Sequence, residues 1–180
     1  MPRGLLVGRF QPFHRGHLAL LSSIRAARPE APLLVAVGSA EESYTWRNPF
    51  TAGERYEMID RAVRALPLEG VEIVPLPDIR RHAQWVAYVE SMLPAFDRIY
   101  SNNPLTRLLF ERAGYAVEGS PLLERDRWEG AQVRARLAED GDWRALVPPA
   151  TADYLAAIDA PKRLRRLRPD GPLAPDGAAP

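Results

Sequence analysis

The sequence predicts an α/β domain: a parallel sheet with helices on both faces, followed by a small C-terminal helical part. Three observations carry that expectation. Short apolar runs alternate with longer stretches of helical periodicity, the order in which strands and crossover helices succeed one another in a parallel sheet. Hydrophobic residues make up 46% and charged residues 26% of the 180-residue chain, enough for one domain with a buried core. The residues richest in chemistry stand directly after the apolar runs, where open parallel sheets bind their ligands.

The elements follow in order. Gly4 to Val7, Leu33 to Val37, Val71 to Leu76, Arg98 to Tyr100 and Tyr115 to Val117 are rich in Val, Ile and Leu and short enough for buried strands. Between them, His17 to Ala27, Gly53 to Leu66, Ala83 to Leu93 and Pro104 to Ala113 have helical spacing. Thr51 with Glu54 three residues on forms a capping box, and Asn103 before Pro104 fits an N-cap followed by proline at the first helical position. Gly114 is placed to end the fourth helix. After Val117 the alternation stops. Ala131 to Glu139 and Ala150 to Ile158 read as further helices. The single domain is expected to end at residue 160. Residues 161–180 then form a basic tail that turns rich in Pro, Gly and Ala from Arg168 and is expected to be disordered.

Charge and composition exclude several functions. Lys and Arg number 24 against 23 Asp and Glu, a formal charge of +1, which argues against a strongly basic nucleic-acid-coating protein. Five of those cations stand between Lys162 and Arg168, so residues 1–160 carry about −2. That basic run reads as a solvated helix end and tail, not a nucleic-acid site. The absence of cysteine excludes disulfides, thiolate zinc, iron–sulfur clusters and Cys nucleophiles. With histidine only at 14, 17 and 82, no protein-built metal site is expected. No apolar run approaches the ~20 residues of a membrane span, and Arg9, Gln11 and His14 interrupt any signal-peptide core, so a cytoplasmic location is expected. Lys162 is the sole lysine, which leaves cationic chemistry to arginine.

The sharpest chemical signal is Gly8-Arg9-Phe10-Gln11-Pro12-Phe13-His14-Arg15-Gly16-His17. His14 and His17 are three apart at a helix start, so their rings share a face. A helix N-terminus offers free N–H groups and positive potential to phosphate, and Gly16 permits close backbone approach. The other strand ends carry Gly38-Ser39, the segment from Pro77 to His82, and Ser101-Asn102-Asn103.

The His14-x-Gly16-His17 segment resembles the signature of the nucleotidylyltransferase superfamily. The longer Gly8 to His17 string is similar to archaeal-type nicotinamide-nucleotide adenylyltransferases, as are Asn48-Pro49-Phe50-Thr51-Ala52-Gly53-Glu54-Arg55, Pro77-Asp78-Ile79, Trp85-Val86, Asn103-Pro104-Leu105 and Gly114-Tyr115. The resemblance covers about residues 3–158 and implies a Rossmann-like fold. It also implies AMP transfer from ATP to the 5′-phosphate of nicotinamide mononucleotide (NMN), by direct in-line displacement with release of pyrophosphate. His14, His17 and Arg47 are then the catalytic residues. Gly8, Arg9, Phe10, Gly16, Asn102, Asn103, Arg134 and Arg136 bind ATP. Phe10, Ser39, Asp78, His82 and Trp85 bind NMN, with Trp85 stacking on the nicotinamide ring. Trp46 packs beside Arg47. Mg²⁺ accompanies ATP, held mostly by the triphosphate and water. A homo-oligomer, often a hexamer, is implied, with neither nucleic acid nor membrane as partner.

Two departures stand out. The superfamily's late Ser-x-Thr-x-x-Arg motif reads Glu129-Gly130-Ala131-Gln132-Val133-Arg134 here, so two phosphate-binding hydroxyls are lost and the arginine is kept. Glu129 then points away, helps hold Mg²⁺, or weakens ATP binding. His82 stands where an Asn is common, and an imidazole meets only part of the carboxamide's hydrogen-bonding pattern, so nicotinic acid mononucleotide is a second candidate acceptor. The rival readings are adenylyl transfer to another acceptor, such as FMN or pantetheine phosphate, and a non-catalytic nucleotide sensor.

Overall fold

The structure is a computed structural model that describes residues 3–66, 68–119 and 129–169. Five parallel strands, β1 (Arg3–Gly8), β2 (Leu33–Gly38), β3 (Val71–Leu76), β4 (Phe96–Tyr100) and β5 (Ala116–Glu118), lie in the order β3-β2-β1-β4-β5. The expected fold class holds. Leu33-Leu34-Val35-Ala36-Val37 is apolar at every position because both faces of β2 are covered. Side chains alternate between two cores. Leu6, Val35 and Val37 face one, and Leu5, Leu34 and Ala36 face the other.

Helices α1 (Arg15–Ala27), α2 (Ala52–Ala65), α5 (Gly130–Ala138), α6 (Pro149–Ala157) and α7 (Ala160–Leu167) supply the first core. Helices α3 (Trp85–Met92) and α4 (Pro104–Arg112) supply the second. Caps set several boundaries. Thr51 Oγ1 accepts the Glu54 N–H at 3.1 Å while a Glu54 carboxylate oxygen accepts the Thr51 N–H at 2.9 Å. Asn103 Oδ1 accepts from the N–H groups of Leu105 and Thr106, with Pro104 at the first helical position. Gly114, at φ 89°, follows the last turn of α4 in the left-handed region. A 3₁₀ turn, His82–Gln84, opens the segment expected as one helix from Ala83.

The domain does not end at residue 160. Ala160 and Leu164 of α7 are wholly buried in the first core, and α7 contacts α5 and α6. Arg163 makes two 2.7 Å hydrogen bonds to Glu54, so α7 is tied to the capping box that starts α2. The basic run is therefore a packed helix with one cation engaged inward. The expected disordered tail falls, from residue 170 on, outside the described residues. A chain ended at Asp159 is expected to be at least about 3 kcal/mol less stable than one ended at Pro169, the scale of losing one buried leucine and its partners. Thermal melting of the two chains checks this. No helix among the described residues is long and apolar enough to cross a membrane.

Candidate active site

Strand order reverses at β1, which has β2 on one side and β4 on the other, and a ligand crevice is expected beyond the strand ends there. A cleft of about 370 Å³ occupies that place. Seven expected site residues line it: Gly8, Arg9, Ser39, Asp78, His82, Trp85 and Asn103. Trp85 meets Phe110 edge to face at 5.4 Å, so core packing fixes its ring while it still lines the cleft. Asp78 is held from both sides. Its Oδ1 accepts the Arg80 N–H at 2.9 Å, and its own N–H donates to Glu41 at 3.0 Å. Gly8 is required locally, because a Cβ there would stand 2.7 Å from the Phe10 ring.

The two histidines form a reciprocal cap at the start of α1. The His17 N–H donates to His14 Nδ1 at 3.4 Å, and the His14 N–H donates to His17 Nδ1 at 3.2 Å. A ring nitrogen that accepts carries no proton, so each neutral imidazole holds its proton on Nε2. The rings stack with centroids 3.5 Å apart, and Phe13 stacks on His17 at 5.5 Å. Burial lowers His14 to about 4 and holds His17 well below its ordinary value, with His14 adding to the second shift. Both are neutral donors at pH 7.

These shifts give a pH prediction. His14 has a folded pKa of about 4 against an ordinary 6.5, so the unfolded chain takes up the proton first. Stability is full above pH 6.5 and is lost as pH falls toward 4, by about 3 kcal/mol for this group alone. Glu54 is also shifted down, but its loss lies below its ordinary 4.5, so the windows separate. Melting temperature measured without nucleotide from pH 7.5 to 4.5 is expected to fall, and His14→Gln is expected to flatten the upper part of the curve.

Arginines converge around the same loop. Arg134 is 9% exposed and donates from Nη1 to the Gln11 carbonyl at 2.8 Å, while its Nε is buried with no partner among the described residues. Burial lowers Arg134 to about 10, and the charges of Arg9 and Arg47 add to the fall. Like charges placed near one another are relieved by an anion. Arg47 is exposed on the loop before α2, and Trp46 packs against the first core.

Other expected residues are placed differently. Arg136 is two residues beyond Arg134, hence on the opposite side of α5, and donates to the Asp142 carbonyl at 3.3 Å, away from the arginine cluster. Phe10 is 2% exposed, its ring packed against His17 in the core, and it does not line the cleft. Gly16 lies in the first turn of α1. Asn103 spends its Oδ1 on the cap of α4, and the neighbouring Asn102 does not line the cleft. Glu129 is exposed at the N-cap of α5 and makes no side-chain cap, and Ala131 is exposed beside it.

Three residues without an expected role also shape the site. Gln11 pairs both ways with the main chain of Phe50, at 2.9 and 3.0 Å, joining the loop after β1 to the loop before α2. Asn48 bridges Arg9, at 3.5 Å, and Glu42, at 2.5 Å. Arg55, wholly buried, donates to carbonyls of Arg9, Gly38, Ser39 and Thr51. Gln11 and Asn48 carry no spacing signal. Arg55 does, as the one charge in the apolar stripe with Met58, Ile59, Ala62 and Val63.

Comparison with known proteins decides the family. Residues 5–146 match the cytidylyltransferase-like family model. A Halorubrum lacusprofundi nicotinamide-nucleotide adenylyltransferase is 47% identical over 165 residues, spanning 92% of both chains. The chain belongs to the nicotinamide-nucleotide adenylyltransferase family. The Archaeoglobus fulgidus adenylyltransferase is 44% identical over 170 residues, covering 92% of this chain and 97% of that one. A crystal structure of a bifunctional NMN adenylyltransferase/ADP ribose pyrophosphatase from Francisella tularensis superposes with a TM-score of 0.75 at 20% identity. It matches 93% of this chain, which spans about half (52%) of that longer protein, and the likeness shows the shared fold. The same protein has been solved with AMP and a manganese ion. As a member of this family the chain is a nucleotidyltransferase, and its sheet is the expected one.

Proposed function

We propose that the protein transfers AMP from ATP to the 5′-phosphate of NMN, giving NAD and pyrophosphate. The observation that carries the reading is the His14–His17 cap on the loop after β1, with Arg134 donating to the Gln11 carbonyl of that loop and Arg9 lining the cleft. A phosphate oxygen of NMN attacks the α-phosphorus of ATP in line. The bond to the bridging oxygen breaks, and its electron pair leaves with pyrophosphate. Such transfers rest on positioning and charge stabilisation. The two Nε2–H groups and the three guanidiniums supply donors for the phosphoryl oxygens as charge shifts toward the leaving group. Gly8, Gly16, Asn102 and Asn103 belong to the ATP side of this reading. Ser39, Asp78, His82 and Trp85 belong to the acceptor side, where Trp85 offers a fixed aromatic face.

Mg²⁺ belongs to the reading as part of the ATP substrate. No group of three His, Asp or Glu among the described residues is placed to hold a metal. A cytoplasmic, homo-oligomeric enzyme is part of the same reading.

The test is an assay of purified protein with ATP and Mg²⁺ and one acceptor per tube: NMN, nicotinic acid mononucleotide, FMN or pantetheine phosphate. NAD from NMN is the expected result. Product with another acceptor alone moves the substrate and keeps the chemistry. ATP binding without product in any tube favours the sensor reading, to which the missing hydroxyls at 129 and 131 point. Restoring them, with Glu129→Ser and Ala131→Thr, is expected to leave or raise the rate of NAD formation. Both side chains are exposed, and Glu129 makes no cap. A large loss would give Glu129 a part of its own in the reaction.

A further inference from the structure

Arg55 is wholly buried and forms no ion pair among the described residues. A buried charge needs compensation, and here four main-chain carbonyls give it. Nη1 donates to Arg9 at 2.9 Å and Gly38 at 2.7 Å, Nη2 to Ser39 at 3.0 Å, and Nε to Thr51 at 3.2 Å. The first three carbonyls stand just past, or at, the carboxyl ends of β1 and β2, and their residues line the cleft.

The consequence is a ladder stopped on purpose. Pairing of β1 with β2 advances in steps of two from the Gly4 N–H on the Pro32 carbonyl, so one further step past Gly8 would place the Phe10 N–H on the Gly38 carbonyl. Arg55 takes that carbonyl. Phe10 and Ser39, which follow directly after two of the held carbonyls, are both non-glycine residues at positive φ, 52° and 47°. Such backbone persists only where its surroundings hold it. In a planar trans peptide the N–H points opposite to the C=O, so holding the Arg9 and Gly38 carbonyls turns the Phe10 and Ser39 amides away from Arg55. The third such amide, of Ala40, is taken by the Leu76 carbonyl at 3.2 Å.

We infer that Arg55 is a positioning residue for adenylyl transfer, which ends the β1–β2 ladder at the cleft and sets the Phe10 and Ser39 amides as main-chain donors to substrate phosphate. The inference rests on the activity proposed above. Because Arg55 joins the end of β1 to the end of β2, it aligns the two substrates with each other more than it binds either one.

Arg55→Lys keeps the charge but offers three donors to four carbonyls. The alignment role predicts a fall in kcat of about a hundredfold per folded molecule, the scale of an ångström misplacement, with KM for ATP and NMN within about threefold of wild type. Wild-type kcat per folded molecule, with only a lowered melting temperature, overturns the proposal as a purely structural role would. A second measurement needs no variant. In the wild-type protein, hydrogen exchange at the Phe10 and Ser39 amides is expected to slow on addition of ATP and NMN. Unchanged exchange at both overturns the proposal, even if Arg55→Lys does not fold. NAD formation by the wild-type protein is scored separately, so a failure of the proposed activity is seen apart from a failure of the Arg55 role.

Discussion

His17→Ala is expected to lower NAD formation by about 10²- to 10³-fold, the effect of removing one donor from a developing phosphoryl charge. The fold is expected to survive. The variant loses one of two reciprocal caps on α1, worth about 1 kcal/mol, and the ring stacked between Phe13 and His14, while the N-cap bond from the His17 N–H to His14 remains. His17→Gln separates the two roles. A glutamine at this third helical position can reach back to the His14 N–H as the imidazole does, so its melting temperature should return toward wild type. Its amide is a less exact donor to phosphate than Nε2–H, so the rate should recover only in part. Circular dichroism melts beside steady-state rates decide the matter. Turnover of His17→Ala within a few-fold of wild type would move the phosphate site away from this cap.

That prediction shows what sequence alone conveys about the site. The spacing of His14 and His17 announced a helix start and two rings on one face. It did not announce that each imidazole caps the other's backbone, which fixes both tautomers. The sheet was legible because parallel strands covered on both faces have no polar alternation, and Leu33 to Val37 reads as a strand at sight. The helix α7 was not. Its segment is dominated by cations, and only Ala160 and Leu164 are wholly buried, so the pattern looks solvated until Arg163 is seen against Glu54. Arg134 and Arg136 illustrate a different limit. Both are cations beside the same motif, but a two-residue step turns a helix by about 200°, and only one of them faces the loop that carries His14. Arg55 sat in plain view on an apolar stripe. What a charge does there depends on which carbonyls are near, and strand ends separated by tens of residues supply them.

Arg134→Met should raise the KM for ATP by about 10- to 150-fold, the range of one lost hydrogen bond to a charged group. The same change should move the melting temperature by only a few degrees. Deleting a buried arginine is usually costly, but Arg134 is an exception. Among the described residues the Arg134 side chain makes one hydrogen bond, to the Gln11 carbonyl, and its buried Nε has no partner. Burial, with the charges of Arg9 and Arg47 beside it, lowers its pKa to about 10, and among the described residues it has no ion pair. Without an anion the guanidinium is therefore poorly compensated, and methionine removes a desolvated charge while filling similar space. With the triphosphate in place the balance reverses, because the anion answers all three cations at once. A polyanion such as tripolyphosphate should thus stabilise the wild-type protein more than Arg134→Met, and the difference should shrink as salt rises. If Arg134→Met instead melts far below wild type while its folded fraction keeps the wild-type KM for ATP, Arg134 is a pin on the Gln11 loop and the anion site rests on Arg9 and Arg47.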